Sequence, residues 1–159
     1  PLSLNNFELK KKYGIFFQNC FNFKFNLFNP HETPWEGTRV CKSKNLKSID
    51  FMRQKIKSKN LSYNFFRFDK EKDIQIINDG GWHFNNIMDP EAISLKLKTF
   101  AHSEFSENEY SDVEIIRSKI QKKIDLFQRG HQYKQVKFDN SFPKYLTSNY
   151  DKYRKYILD

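Results

Sequence analysis

Apolar and polar residues alternate along residues 21–27, which read FNFKFNL. This period of two is typical of a strand with one buried face. Two prolines in residues 29–34 predict a turn, because proline has no backbone N–H to donate. Residues 35–42 then predict a second strand that forms a hairpin with the first, and residues 61–68 and 73–77 predict two further short strands.

Helical periodicity follows in three segments. Residues 44–59 place apolar side chains at the spacing of an amphipathic helix. Asp89 and Pro90 predict the cap and the first residue of a second helix. Its apolar positions repeat at Ile93, Leu97, Phe100 and Ala101. A capping box at residues 111–114 predicts the start of a third helix, which Gly130 ends.

Short strands mixed with about three helices predict an α/β or α+β fold. The chain of 159 residues is long enough to bury a core, and 17% of its residues are aromatic, so we expect a core rich in rings. No internal repeat or linker composition divides the sequence. We therefore expect residues 1–159 to form a single domain or part of one.

The chain carries a formal charge of +9. Lysine supplies 22 of the 28 cationic residues, whereas specific contacts with phosphates and bases rely mostly on arginine. The charge therefore indicates a biased composition more than a nucleic-acid site, and we expect no nucleic-acid partner. No apolar run approaches the ~18 residues of a membrane span. Cys20 and Cys41 are expected to be free thiols.

Reactive residue types concentrate in residues 80–105. Residues 80–84 read GGWHF, residues 89–93 read DPEAI and residues 100–105 read FAHSEF. Adjacent glycines let a backbone approach a ligand closely, and tryptophan offers a flat apolar face. Histidine and glutamate supply metal-ligand or proton-transfer chemistry. This stretch is therefore the candidate site.

In this order the three motifs resemble the C-terminal part of glycosyltransferase family 17, the family of the β-1,4-mannosyl-glycoprotein N-acetylglucosaminyltransferase. WEGTRV at residues 35–40 and FPKYL at residues 142–146 extend the resemblance over most of the chain. The resemblance implies the acceptor-side portion of a GT-A fold. It also implies an enzyme that transfers N-acetylglucosamine, or a related hexose, with inversion from a UDP-sugar to a glycan hydroxyl.

Family members bind a divalent metal and the donor diphosphate with an Asp-x-Asp motif, which this sequence lacks. In the family a proline closely follows that motif, and this sequence begins at Pro1. We therefore expect that a nucleotide-binding half is missing and that it would supply most of the ligands for Mn²⁺ or Mg²⁺. We also expect this segment alone to be inactive. A non-catalytic glycan-binding module derived from such an enzyme is the alternative.

Two glutamates are candidates for the base that takes the proton of the acceptor hydroxyl. Glu91 lies in the first turn of the predicted helix, where GT-A enzymes often place a catalytic carboxylate, although it would also stabilise the helix dipole there. Glu104 lies eleven residues after Ile93, close to three helical turns, and so falls on the apolar face. A carboxylate on that face needs a partner or a function, and we favour Glu104.

Two histidines and a set of neighbouring residues complete the candidate site. His83 and His102 are candidate metal ligands, since neutral imidazole can complete a Mn²⁺ or Mg²⁺ site. The structural alternative for either is a hydrogen-bonded histidine of the core. The candidates for substrate binding are Gly80, Gly81, Trp82 and Lys96. The indole would stack on a sugar ring and the ammonium group would neutralise phosphate, although a core ring and a solvated cation are the ordinary alternatives.

Overall fold

The computed structural model describes residues 7–99 and 108–158, and its fold is mixed α/β. The chain separates into two compact units. The first unit holds the described residues up to Asn19 together with Thr33–His83, and the second holds Cys20–Glu32 together with the described residues from Phe84 onwards. The α/β class predicted from the sequence is confirmed at this level. The GT-A architecture stays a prediction.

The elements follow one another as short strands and mostly short helices. The strands are β1 (Tyr13–Asn22), β2 (Leu27–Phe28), β3 (Trp35–Cys41), β4 (Ile74–Ile77), β5 (Trp82–Asn85) and β6 (Lys134–Gln135). The α-helices are α1 (Ile49–Gln54), α2 (Pro90–Thr99), α3 (Asn108–Ser111), α4 (Val113–Gln121), α5 (Lys144–Thr147) and α6 (Tyr150–Tyr153). Turns of 3₁₀-helix lie at Ser43–Asn45, Ser58–Ser62 and Arg154–Tyr156.

In the first unit, β1 lies between β3 and β4. It pairs antiparallel with β3, with Tyr13 opposite Cys41, and parallel with β4, with Tyr13 opposite Ile74. The strands predicted at residues 35–42 and 73–77 are therefore confirmed. The predicted hairpin is wrong, because β3 pairs with the first half of β1. The core of this unit consists of Tyr13, Ile15, Met52, Ile56 and Ile74.

Residues 44–59 do not form the single helix that the sequence predicts. The Ser48 Oγ accepts a hydrogen bond from the Phe51 N–H at 2.9 Å, and this cap starts α1 only at Ile49. At the other end, the Asn60 side-chain amide donates to the carbonyl of Lys55, the C-cap residue, at 2.7 Å. Side chains therefore satisfy both ends of a helix of only six residues.

The strand predicted at residues 61–68 is also wrong, because Leu61 and Ser62 belong to a 3₁₀-helix and the residues after them form bends and turns. The Asn64 Oδ1 accepts a hydrogen bond from the Phe66 N–H at 3.1 Å, and the Arg67 N–H donates to the Asn64 carbonyl at 3.0 Å. Local hydrogen bonds of this kind compete with a strand ladder. The phenylalanines that suggested a strand are exposed instead.

In the second unit, the end of β1 pairs antiparallel with β2, and β2 pairs antiparallel with β6. Helices α2 and α4 lie against each other. The core beside them consists of Phe23, Leu27, Ile93, Ile116, Ile120, Leu126 and Tyr133. A further cluster surrounds Phe25, whose ring meets Phe84 and Tyr153 edge to face at centroid distances of 5.1 and 5.8 Å. The expected ring-rich core is confirmed.

The strand predicted at residues 21–27 ends at Asn22, and the prediction is wrong beyond that residue. Phe23 has a φ of 68°, and Asn26 is buried rather than solvated. The Asn26 Nδ2 donates to the Leu158 carbonyl at 2.8 Å, and the Leu158 N–H donates back to the Asn26 Oδ1 at 2.8 Å. These long-range hydrogen bonds satisfy a polar side chain that the alternation had placed in solvent.

Helix α2 begins at Pro90, as the sequence predicts. Helix α4 begins one residue later than predicted because Asp112 is its cap and accepts hydrogen bonds from two backbone N–H groups of the first turn, at 2.9 and 3.0 Å. It also ends well before Gly130, since Lys123 has a φ of 59°, which an α-helix does not continue. No helix within residues 7–99 and 108–158 has the length and apolarity to cross a membrane.

Candidate functional site

The glycine turn, Gly80 and Gly81, joins β4 to β5 in the first unit. The Gly80 N–H donates to the Phe17 carbonyl at 2.8 Å, and a Cβ at Gly80 would lie 2.6 Å from the Phe16 Cβ. Gly81 has a φ of 113°, and its carbonyl accepts from the Asn19 N–H at 3.0 Å. The glycines therefore have a packing role against β1. Their predicted role in substrate binding stays a prediction.

The aromatic platform, Trp35 and His83, is the arrangement of the first unit best suited to a ligand. The two rings stack with centroids 4.5 Å apart and planes 14° apart. Trp35 remains 37% exposed. A Cβ at Gly37 would lie 2.3 Å from the Trp35 Nε1, so only glycine fits beside the indole. Trp82 is half-buried at the start of β5, where it stays a prediction for substrate binding.

Sequence reasoning did not include Trp35 in the candidate site and so missed the partner of His83. The two positions are far apart in the sequence, and no local pattern joins them. The one available signal is the pair Trp35 and Gly37 in WEGT, since a glycine two residues after an aromatic residue lies on the same face of a strand and leaves room for the ring to lie over the backbone. The structure therefore adds Trp35 to the candidate site as the stacking partner of His83.

Glu91 and Lys96 belong to helix α2 of the second unit. The Glu91 side chain is 61% exposed, and its Oε1 lies 2.7 Å from the Arg117 Nη2. Arg117 also pairs with Glu114 at 3.5 Å. The Lys96 ammonium donates to the Asn86 Oδ1 at 2.7 Å. Both predicted site residues therefore have partners within their own unit, and their roles in catalysis and phosphate binding stay predictions.

His102 and Glu104 lie outside the described residues. The proposal that Glu104 occupies a buried helix face, and the metal-ligand role of His102, therefore stay predictions. Within residues 7–99 and 108–158, no group of three or more histidine, cysteine, aspartate or glutamate side chains could hold a metal ion. His83 offers one imidazole, which does not make a site alone. The described residues do not fit the expected Mn²⁺ or Mg²⁺ by themselves.

The ion cluster, Glu32, Asp125, Arg129 and Tyr133, gathers charged groups of the second unit that no motif indicates. The Asp125 side chain is 1% exposed. Its Oδ1 accepts hydrogen bonds from the Arg129 Nη2 at 2.7 Å and from the Tyr133 hydroxyl at 3.1 Å. The Arg129 Nη1 reaches the Glu32 Oε1 at 2.8 Å. One guanidinium therefore bridges two carboxylates, one of them buried.

Burial and hydrogen bonds together set the protonation states in and beside the ion cluster. Burial alone would raise the pKa of Asp125, but hydrogen bonds from Arg129 and Tyr133 outweigh it and hold the pKa below its ordinary value. Burial and the nearby Asp125 charge raise the pKa of Tyr133. Burial, followed by the Glu32 carboxylate, raises the pKa of the Cys20 thiol to about 12. At neutral pH Asp125 is ionised, whereas Tyr133 and Cys20 keep their protons.

The ion cluster has the properties of a structural network rather than of a proton-transfer centre. Its charged groups satisfy one another, and the protonated Cys20 thiol is a poor nucleophile. Sequence reasoning missed it because Glu32 and Arg129 are 97 residues apart. The local signal was the spacing of four residues between Asp125 and Arg129, which brings side chains together on one turn.

Two histidines to which the sequence assigned no role stack on each other beside this cluster. The rings of His31 and His131 are 4.5 Å apart and within 5° of parallel. The His31 Nε2 accepts a hydrogen bond from the Gln132 N–H at 3.2 Å. Within the described part of the chain, the buried His131 Nδ1 has no hydrogen-bond partner. The stacked rings pack the segment before Glu32 against the segment after Arg129.

No protein-family model, curated protein or solved structure matches this chain. The resemblance to glycosyltransferase family 17 therefore rests on the residues quoted above, and the functions it implies are proposals.

Proposed function

We propose that this chain is the acceptor-side portion of a glycosyltransferase similar to family 17. The enzyme would transfer N-acetylglucosamine, or a related hexose, from a UDP-sugar to a hydroxyl of a glycan. The observation that carries the proposal is the aromatic platform: a partly exposed indole is stacked on His83 within the residues that carry the resemblance. The platform supports the sugar-binding part of this function most directly.

The platform has the properties that a sugar site requires. A pyranose ring presents C–H groups that pack on an aromatic face, and such contacts with large rings favour binding strongly. His83 stacks within 14° of the indole plane, so Trp35 loses little further freedom when a sugar binds. Because Gly37 has no side chain, the indole can lie directly over β3 at this position, and Trp35 stays partly exposed.

Transfer also needs a base that reaches the acceptor hydroxyl. Glu104 and Glu91 remain the proposed candidates. Glu91 is already held by Arg117 at 2.7 Å, so its carboxylate must leave that ion pair before it accepts a proton. This observation favours Glu104 for the base. It also favours the second candidate function, a non-catalytic glycan-binding module, in which no residue of this segment acts as a base.

The two functions are separated by assaying the full-length gene product with UDP-N-acetylglucosamine, Mn²⁺ and glycan acceptors. We expect turnover that Glu104→Gln lowers by several orders of magnitude. Glu91→Gln is the competing variant, and Glu114→Gln is the matched control because Glu114 is an exposed partner of the same arginine. Glycan binding without turnover would refute the glycosyltransferase function and support the non-catalytic glycan-binding module. Neither binding nor turnover would refute both functions.

The platform itself is tested by the affinity of the chain for glycans. We expect Trp35→Ala to weaken binding about 3- to 12-fold, the range that corresponds to one aromatic stacking contact. Trp35→Phe should retain most of the affinity, since a flat ring remains. Tyr145→Ala, which removes a 61% exposed ring of the second unit, is the control and should change nothing. Equal effects of the alanine variants would contradict the assignment.

A further inference from the structure

The aromatic tip, Phe65, Phe66 and Phe68, is the most exposed apolar feature among the described residues of the first unit. These side chains are 78%, 76% and 82% exposed. Their rings meet each other edge to face, with Phe65 6.1 Å from Phe66 and 6.3 Å from Phe68. Scattered apolar residues are common on surfaces, but three adjacent large rings form a patch that indicates an interaction site.

Hydrogen bonds at its base hold the aromatic tip outward. The Lys72 ammonium donates to the Tyr63 carbonyl at 3.0 Å and to the Asn64 carbonyl at 2.5 Å. The Asn64 side chain accepts from the Phe66 N–H at 3.1 Å. Arg67 makes two hydrogen bonds with Asp69, at 2.7 and 2.8 Å. The polar atoms of the turn are thus paired with one another, while its phenylalanine rings point into solvent.

Cations surround a cavity at the base of the same turn. The lysine pocket has a volume of about 390 Å³, and residues on both sides of the tip, Tyr63 and Asp69, contribute to its wall. Its charged lining consists of the four lysines Lys55, Lys57, Lys59 and Lys70 and the two carboxylates Asp69 and Glu71. Lys70 pairs with Asp69 at 3.2 Å. The other three lysines form no ion pair with the described residues, which leaves the pocket with an excess of positive charge.

We propose that the aromatic tip and the lysine pocket form a docking surface for an anionic lipid bilayer. The phenylalanine rings would enter the boundary between headgroups and acyl chains, and the lysines would face lipid phosphate and carboxylate groups. Peripheral binding of this kind combines burial of apolar area with attraction to negative lipids. The aromatic tip supplies the apolar area, and the lysine pocket supplies the positive charge.

The ring geometry favours a bilayer over a single-stranded nucleic acid. Stacking of bases requires open ring faces along a basic groove. In the aromatic tip the rings lie at 72–76° to one another, so the edge of one ring covers part of the next ring's face. Phenylalanine also has no polar atom for base recognition. The docking surface shares no residue with the aromatic platform.

The test is co-sedimentation of the full chain with vesicles of phosphatidylcholine alone and with about 30% phosphatidylserine. We expect at least tenfold tighter binding to the anionic vesicles. The variant Phe65→Ser, Phe66→Ser, Phe68→Ser should lose at least tenfold in binding, because three large apolar side chains are withdrawn from the interface. The matched control is Ile49→Ser with Leu95→Ser, two side chains that are 76% and 64% exposed elsewhere.

A second variant tests the charged part of the surface. We expect Lys57→Gln with Lys59→Gln to weaken binding to anionic vesicles by roughly fivefold per lysine and to reduce its dependence on salt. Thermal melting of both variants should match the parent chain, since the altered side chains do not belong to its core clusters. Equal binding to both vesicle types would overturn the proposal, as would an unchanged serine variant. Binding of single-stranded RNA that depends on the tip, without vesicle binding, would replace the lipid by nucleic acid.

Discussion

The glycine turn of the first unit and the ion cluster of the second differ in how far apart their residues lie in the sequence. Gly80 and Gly81 are adjacent and conspicuous, yet the structure gives them a packing role against β1. The ion cluster carries no motif, yet it contains a carboxylate with a side chain that is only 1% exposed. A motif makes neighbouring residues visible, whereas the partners of a buried charge come from distant positions.

The largest effect should follow from removing the cation of the ion cluster. We expect Arg129→Met to lower the free energy of unfolding by about 2 to 3 kcal/mol, since Asp125 would stay buried without its counter-charge. This expected loss is small for the breaking of a buried ion pair, because the Arg129 side chain is 40% exposed. The matched control is Arg117→Met, which breaks the exposed pair with Glu91 and should change less than about 1 kcal/mol. Urea unfolding measures both free energies. Equal losses in the two variants would contradict the expectation that the buried ion pair contributes more to stability than the exposed one.

Gly80, in the glycine turn, should respond to crowding alone. We expect Gly80→Ala to lower the free energy of unfolding by about 2 kcal/mol, because its Cβ would lie 2.6 Å from the Phe16 Cβ and 3.0 Å from the Phe17 carbonyl. Gly130→Ala is the control: it has a φ of +75° with nothing within 4 Å of the new Cβ, and should lose about 1 kcal/mol from backbone strain. A smaller loss at Gly80 than at Gly130 would show that the turn relaxes.

The ion cluster should also make stability depend on pH. The folded pKa of Asp125 is lowered, so its contribution is present above the unfolded value of about 3.9 and is lost as the pH falls through the folded pKa. The difference in unfolding free energy between the parent chain and Asp125→Asn should therefore shrink below about pH 4. Urea titrations at pH 7, 5, 4 and 3 measure it, and a difference that grows in acid would contradict the assignment.

The smallest effect concerns the thiol beside the ion cluster. With its pKa raised to about 12, the Cys20 thiol stays protonated at pH 8. We expect folded Cys41→Ser, in which Cys20 is the remaining cysteine, to react with a disulfide reagent far more slowly than the same variant unfolded in urea. Cys20→Ser, which retains the half-buried Cys41, provides the comparison. Equal rates for folded and unfolded chains would show that the cluster does not protect Cys20.

Local chemistry explains which elements the sequence could predict. Pro90 starts α2 as expected, and residues 74–77 form a strand, because these signals act within a few residues. The prediction at residues 21–27 was wrong beyond Asn22, because Asn26 binds the backbone of Leu158 and so replaces solvent with a partner 132 residues away. The alternation of apolar and polar residues shows which side chains are polar, but it does not show which groups will form hydrogen bonds with them.

The candidate site shows the same limit. The sequence pointed to His83, but its stacking partner Trp35 comes from another strand. It pointed to Glu91 as a base, but the pairing with Arg117 depends on how α2 and α4 pack. The strand predicted at residues 61–68 is wrong because side-chain type alone does not distinguish a buried ring from an exposed one. Each missed feature is a tertiary contact.

The hydrogen bonds between Asn26 and Leu158 have a consequence for the order in which the chain folds. On a ribosome, the segment around Asn26 emerges long before Leu158, and the Phe25 N–H must also wait for the Tyr156 carbonyl, which it reaches at 2.8 Å. Pairings so distant along the chain form slowly, because a long loop must close first. The second unit therefore completes its structure only after synthesis has passed Leu158, and until then Phe25 and Asn26 lack these hydrogen-bond partners.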